Sequence, residues 1–222
     1  MSKIKVASTT LICVDCIHPE QSKLAIEKTL SICEFDSVKL LTDQPFTGAS
    51  FDTVSIPKIS SLEEYSKFIV LDLPEKVDTE FAMIIQGDGY PINKDAWTDL
   101  YLKYDYIGAP WVRHLFYDIP GYPRVNENNM VGNGGFSIRS KKMLDKAKKI
   151  TQAIGADKIG PYEDCYLARS IKGLLEQTSI KFAPVGLALG FSFENLTYSG
   201  QFGFHGKKTI EINHNIFKAK NV

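Results

Sequence analysis

The chain has 222 residues, 44% of them hydrophobic and 23% charged, a composition that suits one α/β domain with a real core. Lys+Arg and Asp+Glu both count 26, so the formal net charge is zero, without the basic excess of a dedicated nucleic-acid binder. No apolar stretch approaches the roughly 20 residues of a membrane span, and the start of the chain lacks the basic, apolar and small-residue zones of a secretory signal, so a cytoplasmic protein is expected.

The elements follow from periodicity and punctuation. Ile4–Val14 is rich in β-branched residues and predicts a buried strand. Pro19–Ile32 carries Leu24, Ile26, Leu30 and Ile32 on roughly helical spacing, with Pro19 near the start. Ser37–Leu41 and Asp52–Ile56 predict two further strands. Ser60 or Ser61 is placed to cap a helix whose first turn holds Glu63 and Glu64. Phe81–Ile85 is all apolar and predicts a central strand. Repeated β-α-β units imply a Rossmann-like, mainly parallel sheet flanked by helices, with ligands beyond the carboxyl ends of its strands. That rule points to Thr9 and Thr10 or Asp15, to Asp43, and to Gln86-Gly87-Asp88-Gly89-Tyr90.

The second half is less regular. Asp105–Val112 is aromatic and broken by Gly and Pro, and Phe116–Asn129 predicts a long loop. Gly132-Asn133-Gly134-Gly135 precedes a strand over Phe136–Arg139 and a Lys-rich helix over Ser140–Ile150. A helix is expected over Tyr162–Leu175 and Gly-broken strands over Ile180–Phe193. The Lys-rich stretch reads as a solvated helix face.

Cys13 and Cys16 form a lone C-x-x-C with no second pair, which predicts free thiols rather than a redox or zinc motif. Asn195-Leu196-Thr197 fits a glycosylation sequence, which has no meaning inside the cytoplasm.

Four segments carry residue types suited to chemistry. Asp88 stands between two glycines at a strand end, where a carboxylate holds a hard cation or merely closes a β-turn. Gly132-Asn133-Gly134-Gly135 frees the backbone to wrap a ligand, or forms a simple turn; it is neither G-x-G-x-x-G nor a P-loop. Glu163-Asp164 opens a helix, where a carboxylate is stabilised by the dipole and is a candidate general base. Adjacent helical side chains diverge, so only one of the pair can face a cleft. His205, in Phe202-Gly203-Phe204-His205-Gly206, is a candidate metal or phosphate ligand, or a structural histidine.

Gln86–Tyr90, Tyr104-Asp105-Tyr106-Ile107-Gly108-Ala109-Pro110-Trp111, Val131–Ser140, Glu163-Asp164 and Phe202–Gly206 together resemble a family of glycosyltransferase-like proteins. That family is known as a domain of unknown function in bacterial polysaccharide clusters and in viruses. The match runs from about Tyr65 to Gly206. The resemblance implies a single GT-A-like domain over 1–222, with a nucleotide-binding half over 1–93 and an acceptor and catalytic half over 94–222. It implies a nucleotide-sugar donor, UDP favoured, a glycan or other hydroxyl acceptor, and Mn²⁺ or Mg²⁺. By position, Asp88 and His205 hold the metal or diphosphate, beside Gln86. Asn133, Gly134 and Gly135 line the sugar site, and Asp164, with Glu163 beside it, is the base of an inverting reaction. Thr9, Thr10 and Asp43 face the nucleoside. Two departures stand out: GT-A enzymes usually carry Asp-x-Asp where this chain begins with Gln86, and the family usually has a bulky aromatic where this chain has Gly87. Tyr90, Tyr104, Tyr106 and Trp111 are the aromatics nearest the expected cleft; Tyr106 and Trp111 read as core.

Of two rivals, the first is disfavoured and the second stays open. A nucleotidyltransferase would put a Gly-rich basic loop after the first strand, and Ser8-Thr9-Thr10-Leu11-Ile12 has neither feature. A non-catalytic nucleotide- or carbohydrate-binding module on the same fold would tolerate Gln86 and lose little on Asp88→Ala.

Overall fold

The computed structural model describes residues 3–44, 46, 49–112 and 118–220. Strands β1 (Ile4–Val14), β2 (Cys33–Thr42), β3 (Asp52–Ser55), β4 (Phe81–Ile85), β5 (Tyr106–Gly108) and β6 (Ser137–Ser140) form one sheet in the order β3-β2-β1-β4-β6-β5. The pairings among β3, β2, β1 and β4 are parallel; β6 runs antiparallel to both β4 and β5. The α/β fold with a mainly parallel sheet is therefore as expected.

Both sheet faces are covered, which explains why β1 and β4 are apolar without alternation. Leu11, Cys13, Met83 and Ile85 face one core, which also takes Ala25 and Ile26 of helix α1 (Pro19–Ile32). The intervening Ile12, Val14, Ala82 and Ile84 face the other. That core is closed by Phe68 and Ile69 of α2 (Leu62–Leu71) and by Leu144 of α3 (Lys141–Ile154). Ser61 caps α2, its Oγ accepting from Glu64 N at 3.1 Å, while Glu64 Oε2 accepts from Ser60 N at 2.6 Å. The pairing satisfies one orphan amide of the first turn, that of Glu64, and ties down the amide of Ser60 just before the cap.

Three expectations change. Helix α1 runs straight into β2, which begins at Cys33 rather than Ser37. The helix expected over Tyr162–Leu175 is broken into α4 (Glu163–Cys165), a π-helical turn (Tyr166–Ser170) and α5 (Lys172–Gln177). Ile171 N reaches Tyr166 O at 3.0 Å, an i to i+5 closure of the kind that often sits at functional sites. The expected strands over Ile180–Phe193 are in fact a helix, α6 (Val185–Phe191), followed by the short β7 (Ser192–Glu194). Pro184 starts α6, and a seven-residue apolar run is too short for periodicity to separate helix from strand.

Strand β7 pairs in parallel with β8 (Gly203–His205), and α7 (Lys207–Ile212) and α8 (His214–Lys220) follow. Of the loop expected over Phe116–Asn129, residues 118–129 have no helix or strand; Phe116 and Tyr117 lie outside the described residues. Among the described residues no helix is long and apolar enough to cross a membrane. The four cysteines are free and buried, and burial pushes the Cys13 thiol up to about 12, so it is an inert core group.

Candidate active site

Parallel β1 and β4 end at the same edge, because Cys13 pairs with Ile85. Strand β6 runs the other way, so its start arrives at that edge, with Ser137 opposite Ile84. This antiparallel strand brings Gly135 beside Gln86, although the two lie far apart in sequence. A cleft of about 610 Å³ opens there. Its floor and walls include Asp15, Gln86, Asp88, Gly135, Glu163, Asp164 and His205.

Each predicted residue has a definite place. Gln86 and Gly89 exchange backbone hydrogen bonds of 3.1 and 3.0 Å, a tight turn that lifts Asp88 into the cleft. Gly206 N donates to Asp88 O at 2.9 Å and ties the β4 turn to the end of β8. His205 sits against that turn. Its Nε2 lies 3.0 Å from Gln86 Oε1 and 3.8 Å from Asp88 Oδ1. Its Nδ1 lies 3.0 Å from Glu194 Oε1 and 3.0 Å from Asn133 Nδ2. Burial opposes charge on this ring, but the Glu194 hydrogen bond and the charges of Glu194, Asp88 and Asp164 outweigh it and raise its pKa.

Glu163 and Asp164 send their carboxylates to different partners, yet both border the cleft, contrary to the expectation that only one could. Glu163 Oε1 accepts from buried Arg139 Nη2 at 2.7 Å, and the Arg139 guanidinium stands 5.2 Å from the Tyr106 ring centre. Asp164 Oδ2 accepts from Gly134 N at 3.2 Å, and Oδ1 from Cys165 N at 2.7 Å. Burial, then the neighbouring Glu163 charge, push the Asp164 carboxyl up to about 7.

The glycines of 132–135 serve packing rather than a phosphate nest. None has a positive φ. A Cβ on Gly132 would lie 2.5 Å from the Trp111 ring, and one on Gly134 would lie 2.3 Å from Glu163 Oε1. A Cβ on Gly135 would lie 2.0 Å from His205 Nε2, and one on Gly89 would lie 2.8 Å from His205 Cδ2. The imidazole thus occupies a slot between two glycines. Gly135→Ala should displace it at a cost of roughly 1–3 kcal/mol, the range for overpacking. Urea unfolding checks this; an unchanged midpoint would mean that the ring has room to move.

Other assignments need correcting. Asn133 is buried and Gly134 offers its amide to Asp164; neither lines the cleft. Thr9 and Thr10 are fully buried inside β1, opposite Phe81 and Ala82 at the far end of β4. Thr9 Oγ1 donates to Ala7 O at 2.8 Å, and Thr10 Oγ1 pairs with Thr79 Oγ1 at 2.7 Å, so neither reaches the carboxyl edge. The strand runs on to Val14, and Asp15 is the residue that reaches it. Asp15 itself is consumed in fastening α1: Oδ1 accepts from Ile17 N and His18 N, both at 2.8 Å, and Oδ2 from Ser22 Oγ at 2.6 Å. Asp43 follows β2 near Cys16 and is not among the lining residues. Tyr106 and Trp111 are buried core, as expected, and Tyr106 OH donates to Gly132 O at 2.6 Å.

The residues expected to hold a metal do meet, but as parts of a hydrogen-bonded cluster. Among the described residues no three His, Cys, Asp or Glu side chains are placed to hold a metal ion. Sequence reasoning missed Tyr65, Glu194 and Lys207. Tyr65 OH accepts from Gln86 Nε2 at 3.0 Å, and Lys207 lines the cleft. Lys207 lies two residues past His205, and that proximity was the available signal. Glu194 is the register partner of His205 in the β7–β8 pair, which no local motif reveals.

The sequence model of the family described as "Protein of unknown function (DUF5672)" matches residues 49–205. No curated protein matches the sequence. Among solved structures, a glycosyltransferase involved in glycosylating the major capsid of PBCV-1 is similar over 95% of this chain and 98% of that chain, with a TM-score of 0.50 and 12% identity. The glucosyl-3-phosphoglycerate synthase of Mycobacterium tuberculosis, in complex with Mn²⁺, UDP-glucose and glycerol 3-phosphate, covers 68% of each chain at a TM-score of 0.44 and 10% identity. A mannosyltransferase of Pyrobaculum calidifontis, in complex with GDP-mannose and Mn²⁺, covers 80% of this chain and 54% of that chain at a TM-score of 0.45 and 10% identity. At 12% identity the likeness to the first of these is one of fold.

Proposed function

The chain belongs to the DUF5672 family and carries a glycosyltransferase fold, and from that premise we propose that it transfers a sugar from a nucleotide diphosphate sugar to a hydroxyl of a glycan or other acceptor. One observation carries the reading: Asp164, a carboxyl pushed up to about 7, borders the same cleft as Asp88, His205 and Lys207. A general base is most effective when its pKa lies near the working pH. Fixed cations on the opposite side of a reacting centre stabilise a departing phosphate.

In this mechanism the nucleoside enters beside the β1–α1 turn, where Val14, Cys16, Ile17 and Ile59 offer apolar surface. UDP is the favoured carrier. Residues 1–93 supply the nucleotide side and residues 94–222 the acceptor side. Asp164 takes the proton of the acceptor hydroxyl, whose oxygen attacks the anomeric carbon as the bond to the diphosphate breaks. Negative charge then grows on the diphosphate, towards His205 and Lys207. Attack from the face opposite the leaving group inverts the anomeric configuration.

Calorimetric titration with UDP, GDP and the other nucleoside diphosphates tests the donor site, and incubation with UDP-sugars tests turnover. Binding of one nucleotide in the micromolar to millimolar range, as roughly expected for a donor site, supports the proposal. A folded protein that binds none of them overturns it.

A further inference from the structure

A divalent cation on a diphosphate takes oxygens from the phosphates, from water and from one or two carboxylates, and an imidazole ligates only through a nitrogen with a free lone pair. Between the β4 turn and β8 the protein offers the minimum of the first, and both imidazole nitrogens already have protein partners. Asp88 is the one carboxylate on the β4 turn, because Gln86 stands at the usual first acidic position. Gln86 is not idle. Its Nε2 donates to Tyr65 OH at 3.0 Å, which turns Oε1 towards His205 Nε2 at 3.0 Å. On the other side of the ring, Nδ1 faces Glu194 Oε1 at 3.0 Å, a contact set by strand register.

Asn133 agrees with this arrangement. Its amide lies 3.0 Å from Nδ1, and its Oδ1 is buried with no hydrogen-bond partner. Both ring nitrogens thus have protein partners at hydrogen-bond distance, Nε2 in Gln86 and Nδ1 in Glu194 and Asn133. The charged groups around the ring are Glu194 on β7, Asp88 on the β4 turn and Asp164 on α4. Lys207 adds a cation at the cleft wall.

We infer that this cleft takes the donor's diphosphate without a divalent cation, with His205, whose ring nitrogens are both held by protein partners, and Lys207 meeting the diphosphate instead. The inference rests on the nucleotide-sugar reading above. The chain Tyr65–Gln86–His205–Glu194 has a purpose on this view: it fixes the imidazole beside the leaving diphosphate. Gln86 is then the positioning residue that keeps His205 a donor.

The test is calorimetry with UDP in EDTA and in excess Mn²⁺, paired with electron paramagnetic resonance of Mn²⁺ alone added to the protein. The expected result is a UDP affinity that changes less than twofold between the two conditions, and no Mn²⁺ bound by the wild-type chain. Gln86→Asp should gain Mn²⁺ binding, and its UDP affinity should become metal-dependent. His205→Gln, which keeps a polar side chain but removes the charge, should weaken UDP at least tenfold in EDTA with its thermal unfolding curve still cooperative. A tenfold loss of UDP affinity on adding EDTA to the wild type, or Mn²⁺ bound by the wild type alone, overturns the inference and leaves the transferase reading standing. Absence of UDP binding in both conditions overturns the two together.

Discussion

Replacing Asp164 by asparagine should lower kcat by about 10²–10⁴-fold, the usual contribution of a positioned general base, and leave nucleoside diphosphate affinity nearly unchanged. The wild-type rate should rise with pH and level off above about 7, because the base acts only when ionised. The stability effect has the opposite sign. The folded-state pKa of Asp164 is raised, so folding favours the protonated form. The stability this group contributes is complete below the ordinary carboxylate range and is lost as pH rises through about 7. At pH 8 the asparagine variant should therefore melt at a higher temperature than the wild type, and at pH 4 the difference should disappear. Steady-state kinetics and thermal melts across this range check both signs. Near-wild-type turnover in the variant would remove Asp164 from the mechanism and favour a binding module.

The largest expected stability change lies at Arg139 and Glu163. Their side chains are 0% and 9% exposed and meet at 2.7 Å. Glu163→Ala leaves a guanidinium buried against Tyr106 with Nη1 already lacking a partner. Removing one member of a buried pair costs about 3–5 kcal/mol. For a domain of this size that corresponds to a fall in Tm of roughly 6–20 °C. The double substitution Arg139→Met, Glu163→Met should recover much of the loss, because two apolar groups of similar volume leave no charge stranded. A Glu163→Ala variant that melts within about 1 °C of the wild type would show that the arginine finds another partner or reaches water. Any loss of turnover in these variants should come through Asp164, whose neighbouring helix position and Gly134 contact the pair holds in place.

Strong local signals were legible. Ile4–Val14, Pro19–Ile32 and Phe81–Ile85 appear with the expected bounds, because each has one uninterrupted pattern and a clear start. The Lys-rich amphipathic pattern made a helix over Ser140–Ile150 legible; it starts at Lys141, after the Ser140 cap, and runs on to Ile154. Val185–Phe191 was not, since a short apolar run with Gly186 and Gly190 fits a strand equally well. Gln86, Gly87, Asp88, Gly135, Asp164 and His205 stand out in the sequence and border one cleft, because they sit near element ends that the topology gathers at one edge. Thr9 and Thr10 failed because they lie inside the strand, at the start of its pairing with β4, four or more residues before its carboxyl end at Val14. Glu194 and Tyr65 were invisible for a different reason: their roles are set by cross-strand register and helix docking, and neither leaves a local pattern.

The slot that holds His205 has a bearing on how such sequences can vary. Residues 89 and 135 touch the same ring from two different segments of the chain, and neither has room for a methyl group while the imidazole is there. Their tolerance to change is therefore conditional on residue 205. With a small side chain at 205, alanine at 135 fills space instead of colliding, so a substitution harmful in one background becomes neutral or helpful in the other. Relatives that have exchanged this histidine should be the ones that have also lost one or both glycines, a three-way covariation that steric exclusion alone is enough to produce.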